Sequence, residues 1–184
     1  MAETPSKMVP LGTKAPDFKL FDVLSKREVS LKELKSDIAT VIMFICNHCP
    51  YVKHINKVLV DVAEKYIEKG ISFIAINSND ALFYPEDSPE NMFKVAKTLH
   101  YPFPYLYDET QEVAKAYDAA CTPDFFVYDK DLKLVYRGQF DSSRPSNNLP
   151  VTGKDLAKAL DAILEGRRPD EKQIPSVGCN IKWK

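Results

Sequence analysis

The chain has 184 residues, 45% of them hydrophobic, enough to bury one sizeable core and typical of one domain rather than two. Twenty-five basic residues against 26 acidic ones leave a net charge of −1, so no basic field exists to attract nucleic acid or an anionic membrane. The opening MAETPSKMVP has no apolar stretch of signal-peptide length, and the longest apolar run, TVIMFIC, is too short to span a bilayer, so a soluble, cytoplasmic protein is expected.

Residues 10–36 hold two short alternating stretches, FKLFDV and EVSL, around a polar turn, which predicts an N-terminal hairpin followed by a helical turn in LKELKS. ATVIMFI (39–45) is an apolar run without polar alternation, the pattern of a central strand covered on both faces. After it, Val52, Ile55, Val58, Leu59, Val62, Tyr66 and Ile67 recur at helical spacing up to Gly70. ISFIAIN (71–77) reads as a second buried strand, and a strand, helix, strand unit of this length pairs its strands in parallel through a right-handed crossover. The class is therefore α/β.

A polar loop, SNDALFYPEDSP, precedes a helix from about Pro89, and a shorter helix is expected in TQEVAKAY. DFFVYD and KLVYRGQF flank a turn and read as a closing hairpin. TGKDLAKALDAILEG is an amphipathic last helix with Thr152 as its expected N-cap, and the polar remainder, RRPDEKQIPSVGCNIKWK, has no periodicity.

In a reducing compartment the four cysteines, Cys46, Cys49, Cys121 and Cys179, point to redox chemistry, metal binding or packing rather than structural disulfides. Two of them stand in ICNHCPY (45–51), where the central strand gives way to the long helix. Unpaired N–H groups and the dipole at a helix N-terminus stabilise a thiolate, lowering a thiol pKa from about 8.5 by one to several units. Proline is welcome at the first helical position and costs a hydrogen bond at the fourth. With Cys49 as N-cap, Pro50 falls at the first position, so Cys49 is assigned as the nucleophile and Cys46 as the partner that closes a disulfide onto it. His48 could lower the thiol pKa further, or be an exposed loop imidazole, while His54 falls on the polar side of the helix as solvated surface. A zinc site lacks its second closely spaced pair of ligands, and Asn47, His48 and Pro50 describe a loop within solvent reach rather than an interior. No metal and no dissociable cofactor are expected.

APDFKLFD with VSLKEL, FICNHCPYV, CTPDFFVYD and GCNIKW together resemble the peroxiredoxin-like branch of the alkyl hydroperoxide reductase/thiol-specific antioxidant superfamily, over nearly the whole chain. The resemblance implies a thioredoxin-like α/β fold, a central mixed β-sheet flanked by helices with an N-terminal β-hairpin extension, over residues 1–166. A tail of residues 167–184 carrying Cys179 follows, docked on the body or on another subunit of a homodimer. The resemblance also puts Cys49 at the reactive position and makes Thr122-Pro123 the cis step that faces it, exposing backbone groups to an extended substrate. Cys179, four residues before Trp183, matches a resolving cysteine, although a tail anchored by Trp183 with an idle thiol accounts for it equally. Cys121 is expected to be packing. A rival register makes Cys46 the attacker and His48 its activator.

The departures bear on chemistry. Cys46 stands where a peroxidatic site has threonine, Pro123 where its arginine is expected, and Met43 where thioredoxins bury an acid. The implied activity is thiol–disulfide exchange with a disulfide-containing substrate and an external thioredoxin-like or other dithiol reductant, in an antioxidant context. The alternatives are a peroxidase in which Cys49 attacks a peroxide and Cys46 or Cys179 resolves it, and a non-catalytic binding module on the same scaffold.

Overall fold

The computed structural model describes residues 3–184. The expected hairpin is β2 (Lys19–Asp22) against β3 (Arg27–Ser30), preceded by a short strand β1 (Glu3–Pro5) and followed by the single turn α1 (Leu31–Leu34). The central strand β4 (Ala39–Phe44) runs into the loop 45–49 and then α2 (Pro50–Ile67), which returns the chain to β5 (Ser72–Asn77) in parallel with β4. A 3₁₀ turn at Pro85–Asp87 leads into α3 (Pro89–Thr98), then β6 (Tyr105–Tyr107) and α4 (Glu112–Ala116). The closing strands are β7 (Cys121–Thr122), β8 (Asp124–Asp129) and β9 (Leu134–Gly138), followed by α5 (Lys154–Leu164) and β10 (Val177–Asn180).

Seven strands form one mixed sheet in the order β3-β2-β6-β5-β4-β8-β9, and three form a small antiparallel sheet, β1-β10-β7. Alternation along β4 serves two cores. Val41 and Met43 pack with Val52 and Leu59 of α2 and with Leu156 and Leu160 of α5, while Ile42 and Phe44 pack with Leu31 of α1 and Ala114 of α4. Helices on both faces explain why β4 has no solvent-facing position: every one of its residues is buried, including Thr40, whose hydroxyl accepts from Ser36 N–H at 3.0 Å. None of the helices is long and apolar enough to cross a membrane among the described residues.

Two expectations are corrected. The N-cap of α5 is Gly153, not Thr152: Gly153 takes φ +68°, and the Phe140 ring lies where a Cβ would stand, 2.6 Å away, leaving the Thr152 hydroxyl to accept from Lys154 N–H at 3.2 Å. The tail also contains a strand. β10 pairs with β1 and β7, and backbone bonds from Ser6 N–H to Ser176 and from Asp80 N–H to Lys182 hold its two ends. Strand pairing needs only backbone groups and a partner edge, which is why four residues with no apolar alternation could form it.

Candidate active site

Cys49 is the N-cap of α2 and Pro50 opens the helix, as the proline argument requires. Cys46 lies one residue past the last backbone bond that continues β4 toward β5, from Ile45 N–H to Ile76. The Thr122–Pro123 bond is cis. It brings Thr122 to both thiols: its hydroxyl lies 3.4 Å from Cys46 Sγ, and its carbonyl accepts from Cys49 Sγ at 3.4 Å. On the far side of Thr122, β10 places Cys179 directly opposite it in register. Cys46, Cys49 and Cys179 therefore converge on Thr122, and the Cys49 and Cys179 thiols lie close enough to shift each other's acidity. Pro123 lines the same edge, its carbonyl accepting from the Ser176 hydroxyl at 2.5 Å.

The three sulfurs differ in acidity. Cys49 is pulled down to about 5, first by the hydrogen bond from the Cys46 thiol, then by those from Cys179, the Val52 N–H and Thr122, which together outweigh its burial. Helix N-terminal stabilisation enters through that Val52 N–H, but the neighbouring thiols do more. Cys46 is held well above the ordinary thiol range because it donates to Cys49, is buried, and lies near the Asp87 carboxylate. Cys179 is raised to about 12, by burial first and then by its donating role toward Cys49 and the Cys49 charge. Burial likewise pushes up Cys121, whose thiol meets the Pro123 carbonyl at 3.6 Å; it packs the strand beneath.

The expectation of an exposed sulfur is corrected. Cys49 has 0% and Cys46 1% of its surface open, and Asn47 is buried with them. Residues 45–49 are the expected loop, but the tail and the 3₁₀ turn, both distant in sequence, close over it.

His48, partly buried, stacks on Tyr84 with ring centroids 5.5 Å apart and an interplanar angle of 4°. Its Nδ1 lies 2.5 Å from Asp87 Oδ2 without the alignment of a hydrogen bond. His54 is not free surface: its Nε2 is 3.2 Å from the Ser143 hydroxyl. Asp87 is a residue the sequence reading missed. It is fully buried, and Oδ1 accepts from Asn47 N–H at 2.7 Å and from the Asn77 side chain at 3.1 Å. Its Oδ2 accepts from the Asn79 side chain at 3.0 Å. Nothing in PEDSP announces this, because an acid in a polar loop usually faces water. The donor atoms of Cys46, His48 and Asp87 lie within 4.8 Å of one another and are of a type that could hold zinc, although both Asp87 oxygens are already engaged by N–H donors.

The chain is similar over its whole length to a crystal structure titled an uncharacterized conserved protein from Geobacillus kaustophilus, with 66% identity, 97% of that chain covered and a TM-score of 0.99. It is also similar to a hypothetical protein from Sinorhizobium meliloti 1021, at 48% identity with 98% of each chain covered and a TM-score of 0.96. At the level of fold it resembles the thioredoxin domain of a thiol-disulfide oxidoreductase from Bacteroides vulgatus, at 16% identity, 82% and 97% coverage and a TM-score of 0.62. No curated protein matches it. The fold is thioredoxin-like, and since residues 11–137, most of the chain, match the AhpC/TSA family, the protein belongs to that family.

Proposed function

We propose that the protein is a thiol–disulfide oxidoreductase that works through the Cys46 and Cys49 couple, with Cys49 as the attacking thiolate. The observation that carries this reading is the meeting of two thiols at Thr122, Cys46 Sγ 3.4 Å from its hydroxyl and Cys49 Sγ 3.4 Å from its carbonyl, in surroundings that pull Cys49 down and push Cys46 up. In the first step Cys49 attacks one sulfur of a substrate disulfide, the S–S bond breaks, and the electron pair leaves on the other substrate sulfur, which takes up a proton. Cys46 then loses its proton and attacks the Cys49 sulfur, expelling the second substrate thiolate. Two electrons have passed to the substrate, and the 46–49 disulfide left behind is reduced by an external dithiol donor, as a reducing cytoplasm would supply.

The second step needs a base for Cys46, and Asp87, acting with His48, is the acceptor beside it. This arrangement takes the place of the buried acid that position 43 does not provide. The measurement that tests the reading is reduction of a model protein disulfide by the pre-reduced protein: turnover that disappears in Cys49→Ser supports it, and no reduction by the wild type removes it.

The peroxidase reading keeps support from family membership and from Cys179 beside Cys49. Against it, the two partly buried guanidiniums near the closing strands are committed elsewhere: Arg137 to Val9 and Gln173, Arg144 to Gln139, Asp141 and Ser143. With no arginine donor directed at Cys49, a peroxide O–O bond would not be polarised. Peroxide consumption no faster than that of free cysteine in stopped flow is the expected result.

A further inference from the structure

The dithiol is closed by the protein's own tail, and the manner of closure is informative. β10 lies along β7 in antiparallel register, Cys179 opposite Thr122 and Asn180 opposite Cys121. The tail therefore presents a cysteine to Cys49 in an extended backbone, since Cys179 pairs with Thr122 and the Thr122 carbonyl lies 3.4 Å from Cys49 Sγ, the geometry that an attacked disulfide would need.

We propose that the groove along β7, filled here by β10, is the binding site for an extended peptide that carries the disulfide sulfur on a Gly-Cys-x-apolar segment and enters by replacing β10. The inference rests on the dithiol reading above and names its substrate class.

Three features define the segment. The first is backbone pairing: the bonds β10 makes with β7 use N–H and C=O groups, which any extended chain offers, so they recognise a strand and not a sequence. The second is the glycine. A Cβ built at Gly178 would stand 1.9 Å from the Thr122 carbonyl oxygen and 2.6 Å from its carbon, an overlap with backbone that no side-chain rotation relieves. A peptide occupying the same track has to place a glycine immediately before its cysteine. The third is an apolar residue two positions beyond the cysteine. Ile181 is 1% exposed, packs into the second core and donates its N–H to the Ala120 carbonyl at 3.2 Å, whereas Asn180 between them faces outward.

Seated in this way, the peptide places its sulfur where Cys179 now stands. The Cys49 thiolate attacks that sulfur, the peptide's S–S bond breaks, and the departing thiolate leaves with the electron pair. Cys46 then displaces the peptide thiol from Cys49, and an external dithiol restores the couple. β10 re-pairs with β7 when the product leaves, so the groove is shut between turnovers.

The test uses the full chain, reduced, and two synthetic peptides in which the cysteine of a Gly-Cys-x-Ile or an Ala-Cys-x-Ile segment is joined by a disulfide to a chromophoric thiol. Chromophore release from the glycine peptide is expected to be faster by at least about tenfold, since specificity is carried by a steric clash against the alanine form. In Gly178→Ala, where the tail itself meets the clash, release from the glycine peptide is expected to rise by about tenfold as β10 loosens. Equal rates for the two peptides overturn the proposal, as does a folded Gly178→Ala protein that is no faster than wild type. If Gly178→Ala does not fold, the peptide ratio in the wild type decides alone. A small aromatic disulfide without a peptide separates the two readings: when it is reduced while the peptides show no difference, only the groove proposal falls. When neither it nor the peptides are reduced, the dithiol reading falls and takes this one with it.

Discussion

Cys179 of β10 faces Thr122 of β7 across a two-residue antiparallel ladder, and this pairing holds a third sulfur against Cys49 from a position 130 residues later in the chain. The tail contributes a redox-capable group to the site as well as closing it. In the wild type, Cys46 competes with Cys179 for an oxidised Cys49, and the short helix-proximal loop favours Cys46. Mild oxidation followed by mass mapping is expected to give a 46–49 disulfide in the wild type and a 49–179 disulfide in Cys46→Ser. A Cys46→Ser protein that yields only unlinked or intermolecular Cys49 products would show that the contact is not productive.

The acidity of Cys49 has a readable pH signature. Ultraviolet absorbance of the thiolate is expected to titrate with a midpoint near 5. In Cys46→Ala, which loses the hydrogen bond that contributes most, the midpoint should rise by about one unit or more. The stability linkage has a definite sign. The folded value lies below the unfolded one, so the contribution is present above the ordinary thiol pKa and lost as pH falls through about 5. A midpoint near the value of free cysteine in the wild type contradicts the proposed attacker.

Asp87 is predicted to act in the second half of the reaction. In Asp87→Asn the carbonyl oxygen can still accept from the loop, but the negative charge that receives the Cys46 proton is gone. Decay of a mixed disulfide at Cys49 should slow by about a hundredfold, while its formation changes little. Quenched-flow trapping of the mixed disulfide distinguishes the steps, and equal slowing of both would assign Asp87 to folding of the loop instead.

Asp124 gives a prediction about stability that is separate from the dithiol. It is fully buried on β8, its Oδ1 has no hydrogen-bond partner, and burial raises its carboxyl to about 7. Because the folded pKa is above the unfolded one, the favourable contribution is full below the ordinary carboxyl pKa and lost as pH rises through about 7. Asp124→Asn should remove that slope, so the variant gains on the wild type by on the order of 4 kcal/mol between pH 4 and pH 8. Parallel denaturant curves at the two pH values measure the gain; an unchanged difference would mean the carboxylate is already accommodated.

Much of the fold was legible because its signals are local. The largely apolar run of β4, the helical spacing from Val52 to Ile67 and the paired strands around the 130–132 turn each follow from periodicity within one segment. The small sheet was not legible. β1, β7 and β10 are two to four residues long, and their stability comes from pairing across the chain, for which no window of sequence carries a pattern. The same limit hid Asp87: its burial is produced by the folding of a loop over Asn47, 40 residues earlier.

At the site, the order Cys49-Pro50 alone determined which cysteine begins the helix, since a ring without an N–H fits the first helical position and not the fourth. Tertiary structure alone decided that Cys49 shares its proton affinity with Cys46 and Cys179, that an acid sits beside Cys46, and that the whole couple lies beneath the tail. Those are contacts between groups distant along the chain, and Coulomb forces, hydrogen bonding and exclusion of water act through space, not along the sequence.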